Sequence, residues 1–211
     1  MLLWIDLETT GLEPTEDHII EVAWQLTTNN IKAVDDMYTR LVEVPAKAWV
    51  DIAQNPDVWD MHTNSGLIAD YEDAWKHERI NRVEDVEDQI LKQIEELHSD
   101  DIVMVAGFSV HFDLGFIREH MPRLARVLSH RIYDVTTLKT FFKTFGVSSA
   151  YENIGKHRAY WDTIEAMHIA AELRSLVKQH LEVEEVTYPI PGFEDFPQIL
   201  DSLTIKGNDN A

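Results

Sequence analysis

The sequence predicts an α/β fold: a mixed five-stranded sheet with three antiparallel strands first, flanked by helices. Three observations carry this. Strand-like apolar runs at residues 2–6, 19–28 and 38–44 all precede any long helical pattern. A fourth run, at 102–106, has a helical pattern on either side of it. A fifth, at 132–135, follows a short stretch that Pro122 opens as a turn of helix.

Leu2 to Ile5 run on into Asp6 with apolar residues on both faces, the mark of a central strand. Gly11 breaks the run. Ile19 to Thr28 (IIEVAWQLTT) and Tyr38 to Val44 continue as an antiparallel meander, with turns at Asn29-Asn30 and around Pro45. From Asn55 to Tyr71 the pattern is mixed and turn-rich, and a loop with short helical pieces is expected. Val83, Val86, Ile90, Ile94 and Leu97 recur at three and four residues with acids between them, an amphipathic helix of about four turns.

Strand four covers Ile102 to Ala106, and a helix carrying Leu114, Ile117 and Met121 is expected after Asp113. Ile132 to Val135 is the fifth strand; Thr136 or Thr137 then caps a helix through LKTFFKTF that Gly146 ends. The last long helix runs from near Arg158 to about His180, with Ile164, Met167, Ala171 and Leu173 as its core stripe. Residues 1–181 form one expected domain. Residues 182–211, with Pro189, Pro191, Pro197 and seven acids, form an extended acidic tail.

With 211 residues, 45% of them hydrophobic and 27% charged, the chain has material for one substantial core. No apolar run approaches the ~18 residues of a membrane span, and the first residues lack a basic flank and a small-residue cleavage site. A cytoplasmic setting with no membrane partner is therefore expected. The absence of cysteine excludes disulfides and thiolate metal ligands. A balance of 18 basic to 38 acidic residues leaves −20, the wrong sign for holding long nucleic acid by counterion release. Most of that excess is expected to be solvated surface.

The chemistry-bearing residues are few. Asp6 and Glu8, two apart on a strand, put both carboxylates on one face. In VMVAGFSVHFDLGF an apolar strand leads into Gly107, and Asp113 follows. KHRAYWD places His157 five residues before Asp162. Within one continuous helix that separation turns side chains about 140° apart, so His157 belongs on the loop before the helix and Asp162 in its first turns. Singly, each has an ordinary explanation: a solvated strand, a helix cap for Asp113, a surface loop pair. Together, four carboxylates and an imidazole suit phosphodiester hydrolysis, in which two cations ~3.5–4 Å apart supply an attacking hydroxide and stabilise the leaving oxygen. All-oxygen ligands favour hard cations, Mg²⁺ or Mn²⁺. His157 is the candidate general base, since an imidazole exchanges its proton near neutral pH. H-E-x-x-H, Walker A, G-x-G-x-x-G and G-x-S-x-G do not occur.

The order D-x-E, strand-end Asp, H-x4-D resembles the DEDDh family of 3′-to-5′ exonucleases. Within it, DLETTGL, HTNSGL, MPRL followed by HRIYDVTTLK, and HRAYWD resemble the oligoribonucleases, over roughly residues 1–178. The resemblance implies a ribonuclease-H-like fold and two Mg²⁺ or Mn²⁺ ions per site held by Asp6, Glu8, Asp113 and Asp162, with Asp6 bridging them. It also implies a homodimer, and stepwise release of nucleoside 5′-monophosphates from the 3′ end of short single-stranded RNA, DNA being a further substrate. Leu12 would be an apolar wedge against the terminal bases and His62 would lie near the substrate; on the residues alone, a core leucine and a loop histidine read equally well. Ser109, Arg131 and Thr136 match positions that hold a 5′ phosphate, an anion that a guanidinium and two hydroxyls suit.

Capturing that end limits the substrate to very few nucleotides, which need few phosphate contacts. The chain departs from the family at Phe108, where Asn is usual, at His130, where Tyr is usual, and at Trp59, which lies nearer His62. Two rivals remain in view: a proofreading-type single-strand exonuclease, which HFDLGF also resembles, and an oligonucleotide-binding or host-interaction module without turnover.

Overall fold

The computed structural model describes residues 1–97, 102–147 and 157–180. The strands are β1 (Leu2–Thr9), β2 (Ile19–Thr27) and β3 (Tyr38–Leu41), followed after four helices by β4 (Val103–Gly107) and β5 (Leu128–Asp134). The helices are α1 (Ala46–Ala53), α2 (Pro56–Asn64), α3 (Leu67–Lys76), α4 (Val83–Glu96), α5 (His111–His120), α6 (Pro122–Val127), α7 (Val135–Lys143) and α8 (Ala159–His180). The sheet order is β3-β2-β1-β4-β5, antiparallel across the first three and parallel from β1 through β4 to β5. This is the mixed five-stranded α/β architecture read from the sequence.

β1 is central because it is apolar on both faces: Leu2, Leu3, Trp4 and Ile5 are all buried. On one side Leu3, Ile5, Val22, Trp24 and Val105 pack with Val86 and Ile90 of α4 and Phe116 and Ile117 of α5. On the other, Ile20 packs with Ala48 and Ile52 of α1 and Leu67 and Tyr71 of α3. Gly107 closes β4 where a β-carbon would press to 2.8 Å from the Ile5 carbonyl oxygen. That close approach lets the chain turn into α5 directly beside β1.

Several local expectations need correction. The stretch 55–71, expected as a loop with short helical pieces, consists of α2 and the first half of α3, more helical than expected; α1 precedes it where no helix was expected, with Pro45 as its N-cap, and Pro56 occupies the first turn of α2. β3 stops at Leu41; Val42 then donates its amide to the Ile20 carbonyl at 2.8 Å and bridges to Asn81. β5 begins at Leu128, four residues early, since pairing with β4 imposes extension that the mixed sequence does not announce. Asp113 lies inside the first turn of α5 rather than before it. Asp134, not Thr136 or Thr137, caps α7 by accepting from the Thr137 amide at 2.7 Å.

The inner stripe of α8 is displaced by one position. Thr163, Ala166, Ile169, Ala170 and Leu173 are buried, Ile164 and Met167 only partly, and Ala171 is exposed. Asp162, Ala166 and Ile169 share one helical face, so directing Asp162 toward β1 turns that face inward.

The chain divides into two compact units, Met1–Ala170 and Ala171–Ala211. Of the second, the described residues are the last turns of α8, and the expected acidic tail at 182–211 lies outside them. Among the described residues no helix is long and apolar enough to cross a membrane.

Candidate active site

The first acids come from β1. Asp6 faces Ala23 and Glu8 faces Glu21 across the antiparallel ladder, so the alternation of a strand sends Asp6 and Glu8 to the same side. Asp162, in the first turn of α8, completes the group: one carboxylate oxygen from each of Asp6, Glu8 and Asp162 lies within 4.8 Å of the others. Asp113 stands outside this set. Its Oδ1 accepts the Leu7 amide at 3.0 Å, which fixes α5 to the strand between the two β1 acids.

The electrostatics of the group are unfavourable as it stands. Burial pushes Asp6 well above the usual carboxylate range, reinforced by the charges of Asp113, Glu8, Asp162 and Glu21. Glu8 is pushed up to about 8 by burial and then by Asp162 and Glu21, against a smaller pull from Arg158. Asp113 also reaches about 8, through burial that the amides of Asp113 and Leu7 only partly offset. Asp162 is raised by burial, while the Arg158 amide and His157 work the other way. A pocket that crowds carboxylates in this way has the chemistry of a divalent-cation site, and an all-oxygen donor set fits Mg²⁺ or Mn²⁺.

His157 sits on the loop before α8, solvent-exposed and with a positive φ of 43°. This is the placement that the five-residue spacing to Asp162 demands. Asp162 also accepts the Arg158 amide at 3.1 Å, so the carboxylate pins the start of its own helix.

The expected substrate contacts fall into two kinds. Leu12 is 75% exposed, so it is no core leucine. It follows Gly11, where a β-carbon would meet the Asp17 carboxylate at 2.4 Å. That carboxylate braces the loop, accepting from the Thr10 hydroxyl and the Glu13 amide, both at 3.0 Å. His62 is neither on a loop nor open to solvent: it is fully buried in α2, its Nε2 lies 2.9 Å from the Thr9 carbonyl, and its Nδ1 has no hydrogen-bond partner and stands 3.8 Å from Glu8 Oε2. Burial lowers its proton affinity.

Ser109 and Thr136 are brought together. The Thr136 hydroxyl accepts the Ser109 amide at 3.0 Å, and the two hydroxyls are 3.2 Å apart. Asp134 supports both by accepting from Val110 and Thr137 amides. Arg131 is exposed on β5, and its amide donates to Ser129 Oγ. Trp59 lies elsewhere, in a largely apolar cavity of about 490 Å³ shared with Trp49, Tyr71 and Trp75 that contains none of the clustered acids.

The sequence reading missed Glu21, Arg158 and Asp70. Glu21 is fully buried; its carboxylate takes Arg158 Nη2 at 2.8 Å, Arg158 Nε at 3.2 and 3.3 Å and the Ala159 amide at 3.0 Å, while Arg158 Nη1 reaches Asp70 at 2.7 Å. One signal was available: a lone acid inside the apolar strand IIEVAW. Such a charge is rarely buried without a partner.

A ribonuclease-H-like sheet carrying clustered carboxylates at the end of its central strand defines a class of phosphoryl-transfer domain. The chain belongs to the RNase T exonuclease family, whose model matches residues 3–170. It is 31% identical over 176 residues to a probable oligoribonuclease of Schizosaccharomyces pombe, covering 82% of this chain and 67% of that one. To the oligoribonuclease of Idiomarina loihiensis it is 33% identical over 170 residues, covering 79% and 88%. Among solved structures it resembles a zinc-bound E. coli exonuclease I–single-stranded DNA complex with a TM-score of 0.56 at 14% identity, over 85% of this chain and 43% of that one. The chain thus spans less than half the length of that exonuclease, and the likeness concerns the fold.

Proposed function

We propose that this protein is a divalent-metal-dependent 3′-5′ exonuclease of oligoribonuclease type. It hydrolyses short single-stranded RNA, with DNA a further substrate, to nucleoside 5′-monophosphates. The observation that carries the reading is the convergence of Asp6, Glu8 and Asp162 into one partly buried, self-repelling group at the end of β1. Family membership and relatives named oligoribonuclease support the substrate class.

Asp6, Glu8, Asp113 and Asp162 would hold two Mg²⁺ or Mn²⁺ ions, the charge of Asp113 lying close enough to raise Asp6. Bound cations supply Lewis-acid chemistry, polarising the scissile phosphate and acidifying water. His157, exposed on its loop, takes a proton from the attacking water as general base. Leu12 offers an unpacked apolar side chain to the terminal bases. The Ser109–Thr136 hydroxyl pair with Arg131 receives the 5′ phosphate and sets the length limit.

The reading includes a cytoplasmic setting and a homodimer. Exposed Ile132 on the edge strand β5, with exposed Phe141 and Phe145 at and beyond the end of α7, supports the latter.

End-labelled RNA and DNA of two, seven and twenty nucleotides, incubated with Mn²⁺ and then EDTA, test the reading, with Asp113→Ala as control against contaminating nuclease. Preferred, EDTA-sensitive cleavage of the dinucleotide is expected. Equal cleavage of the 20-mer selects the proofreading-type rival, and binding without product selects the non-catalytic module.

A further inference from the structure

We infer that Glu21, Arg158 and Asp70 form a positioning clamp that sets the start of α8, and with it Asp162 and His157, against the β1 acids. The inference deepens the proposed function and rests on that reading of the acid cluster.

Arg158 is the residue between His157 and α8, and it is held from two directions. Glu21, whose side chain is 1% exposed, grips the guanidinium along Nε and Nη2 and also takes the Ala159 amide, the first of the helix. Asp70 of α3 holds Nη1 from the solvent side. The planar fork of arginine makes such a two-sided grip directional as well as attractive. β2 and α3 therefore fix both the position and the rotation of the first turn of α8.

That rotation matters to the cluster. Asp162 is one turn along from Arg158 and takes its amide, so a shift of Arg158 is passed directly to the carboxylate that must meet Asp6 and Glu8. Glu21 also stands opposite Glu8 in the ladder. Its charge already adds to the crowding there, and the guanidinium bound to it offsets part of that charge. Arg158 thus tempers the cross-strand neighbour of the cluster while locating its third member. His157, immediately before the clamp, is exposed and itself has a positive φ.

Three variants test the clamp: Glu21→Gln, which keeps the shape and removes the charge; Arg158→Lys, which keeps the charge and removes the fork; and Asp70→Asn, on a side chain 58% exposed and so without risk to folding. Mn²⁺ affinity measured by calorimetry is the primary readout, with kcat and KM on a 5′-phosphorylated dinucleotide and Tm in EDTA beside it. A residue acting through a metal ligand is expected to change metal affinity by about 10–100-fold. The Mn²⁺ Kd should rise by that factor in Glu21→Gln and by about threefold in Asp70→Asn, Arg158→Lys lying between, with kcat reduced and KM within about twofold of wild type.

A wild-type Mn²⁺ Kd in folded Glu21→Gln overturns the clamp. Should that variant fail to fold, an unchanged Kd in Asp70→Asn overturns it instead. Wild-type protein that binds Mn²⁺ in a clamp-dependent way yet cleaves nothing keeps the clamp and removes the nuclease reading. Wild-type protein that binds no Mn²⁺ overturns both.

Discussion

Glu87 and the cluster at the end of β1 both hold carboxylates away from solvent, Glu87 wholly and the cluster in part, and they are provided for in opposite ways. Glu87 of α4 is 2% exposed; Oε1 accepts the Arg123 amide at 2.7 Å and the Leu124 amide at 2.9 Å, and Oε2 takes Arg123 Nε at 2.8 Å and Nη2 at 2.7 Å. Each oxygen has two donors, so the charge is answered within the fold, and its work is to join α4 to the start of α6. Asp6, Glu8 and Asp162 instead face one another, and their protonation is pushed upward by burial and mutual repulsion. A fold retains such a liability where something from outside completes it. Glu21 lies between the two cases: paired with Arg158, yet placed beside the self-repelling group.

The comparison is broken most decisively by exchanging which property each site controls. Asp6→Asn should cut kcat on a dinucleotide on the order of 10³-fold, the scale of losing one group that stabilises charge in the transition state. Its Tm in EDTA should stay at or above wild type, because a repelling charge has gone. A fall in Tm with little loss of kcat would make the cluster structural. Glu87→Ala should do the reverse, leaving kcat unaltered while stability drops on the order of 3 kcal/mol as buried donors and a guanidinium lose their partner. That corresponds to roughly 6–12 °C in a thermal melt.

His157→Ala tests the exposed member of the site. A loss of about 10²–10⁴-fold in kcat is expected, with Mn²⁺ affinity unchanged, since the imidazole acts on water rather than holding the cation. The pH–rate profile should lose its rise through neutrality. A retained rise would assign the base elsewhere.

The metal-free protein offers a pH test with a definite sign. Glu8 and Asp113 move from ordinary values of 4.5 and 3.8 to about 8 in the fold. As pH rises the unfolded chain releases these protons first and the folded chain keeps them, so stability falls from about pH 4 to about pH 8. Melting in EDTA should therefore drop by several degrees across that window, and added Mn²⁺ should raise Tm most at its upper end. A flat EDTA curve would mean that the carboxylates are not crowded in solution.

The smallest effect is expected at Leu12. Truncation to Ala removes an exposed side chain and should leave Tm unchanged. KM should rise about tenfold, the scale of one apolar side chain losing its contact with substrate. An unaltered KM would dissociate the loop from base binding.

Much of this was legible in one dimension because it depends on local geometry. A strand alternates every two residues, so D-x-E aims two acids together wherever the strand lies. A helix turns about 100° per residue, so H-x4-D forces the histidine off the helix. The amphipathic repeat of Val86 and Ile90 places α4 for the same reason. The stretch from 46 to 76 was legible only as short helical pieces within a loop over 55–71, because its helices are short and carry apolar residues toward both the core and an aromatic-lined cavity, which blurs the period.

By itself, then, the sequence determined which residues share a face, which carry the acids, and where His157 leaves the last helix, all consequences of fixed repeat angles. Only the tertiary structure decided that Glu21 meets Arg158 across 137 positions of chain, that His62 is sealed behind Glu8, and that Asp113 braces Leu7. Those pairings follow from how β2, α2, α3, α5 and α8 pack around one strand, and packing over such separations is set by the burial of whole faces rather than by any spacing within them.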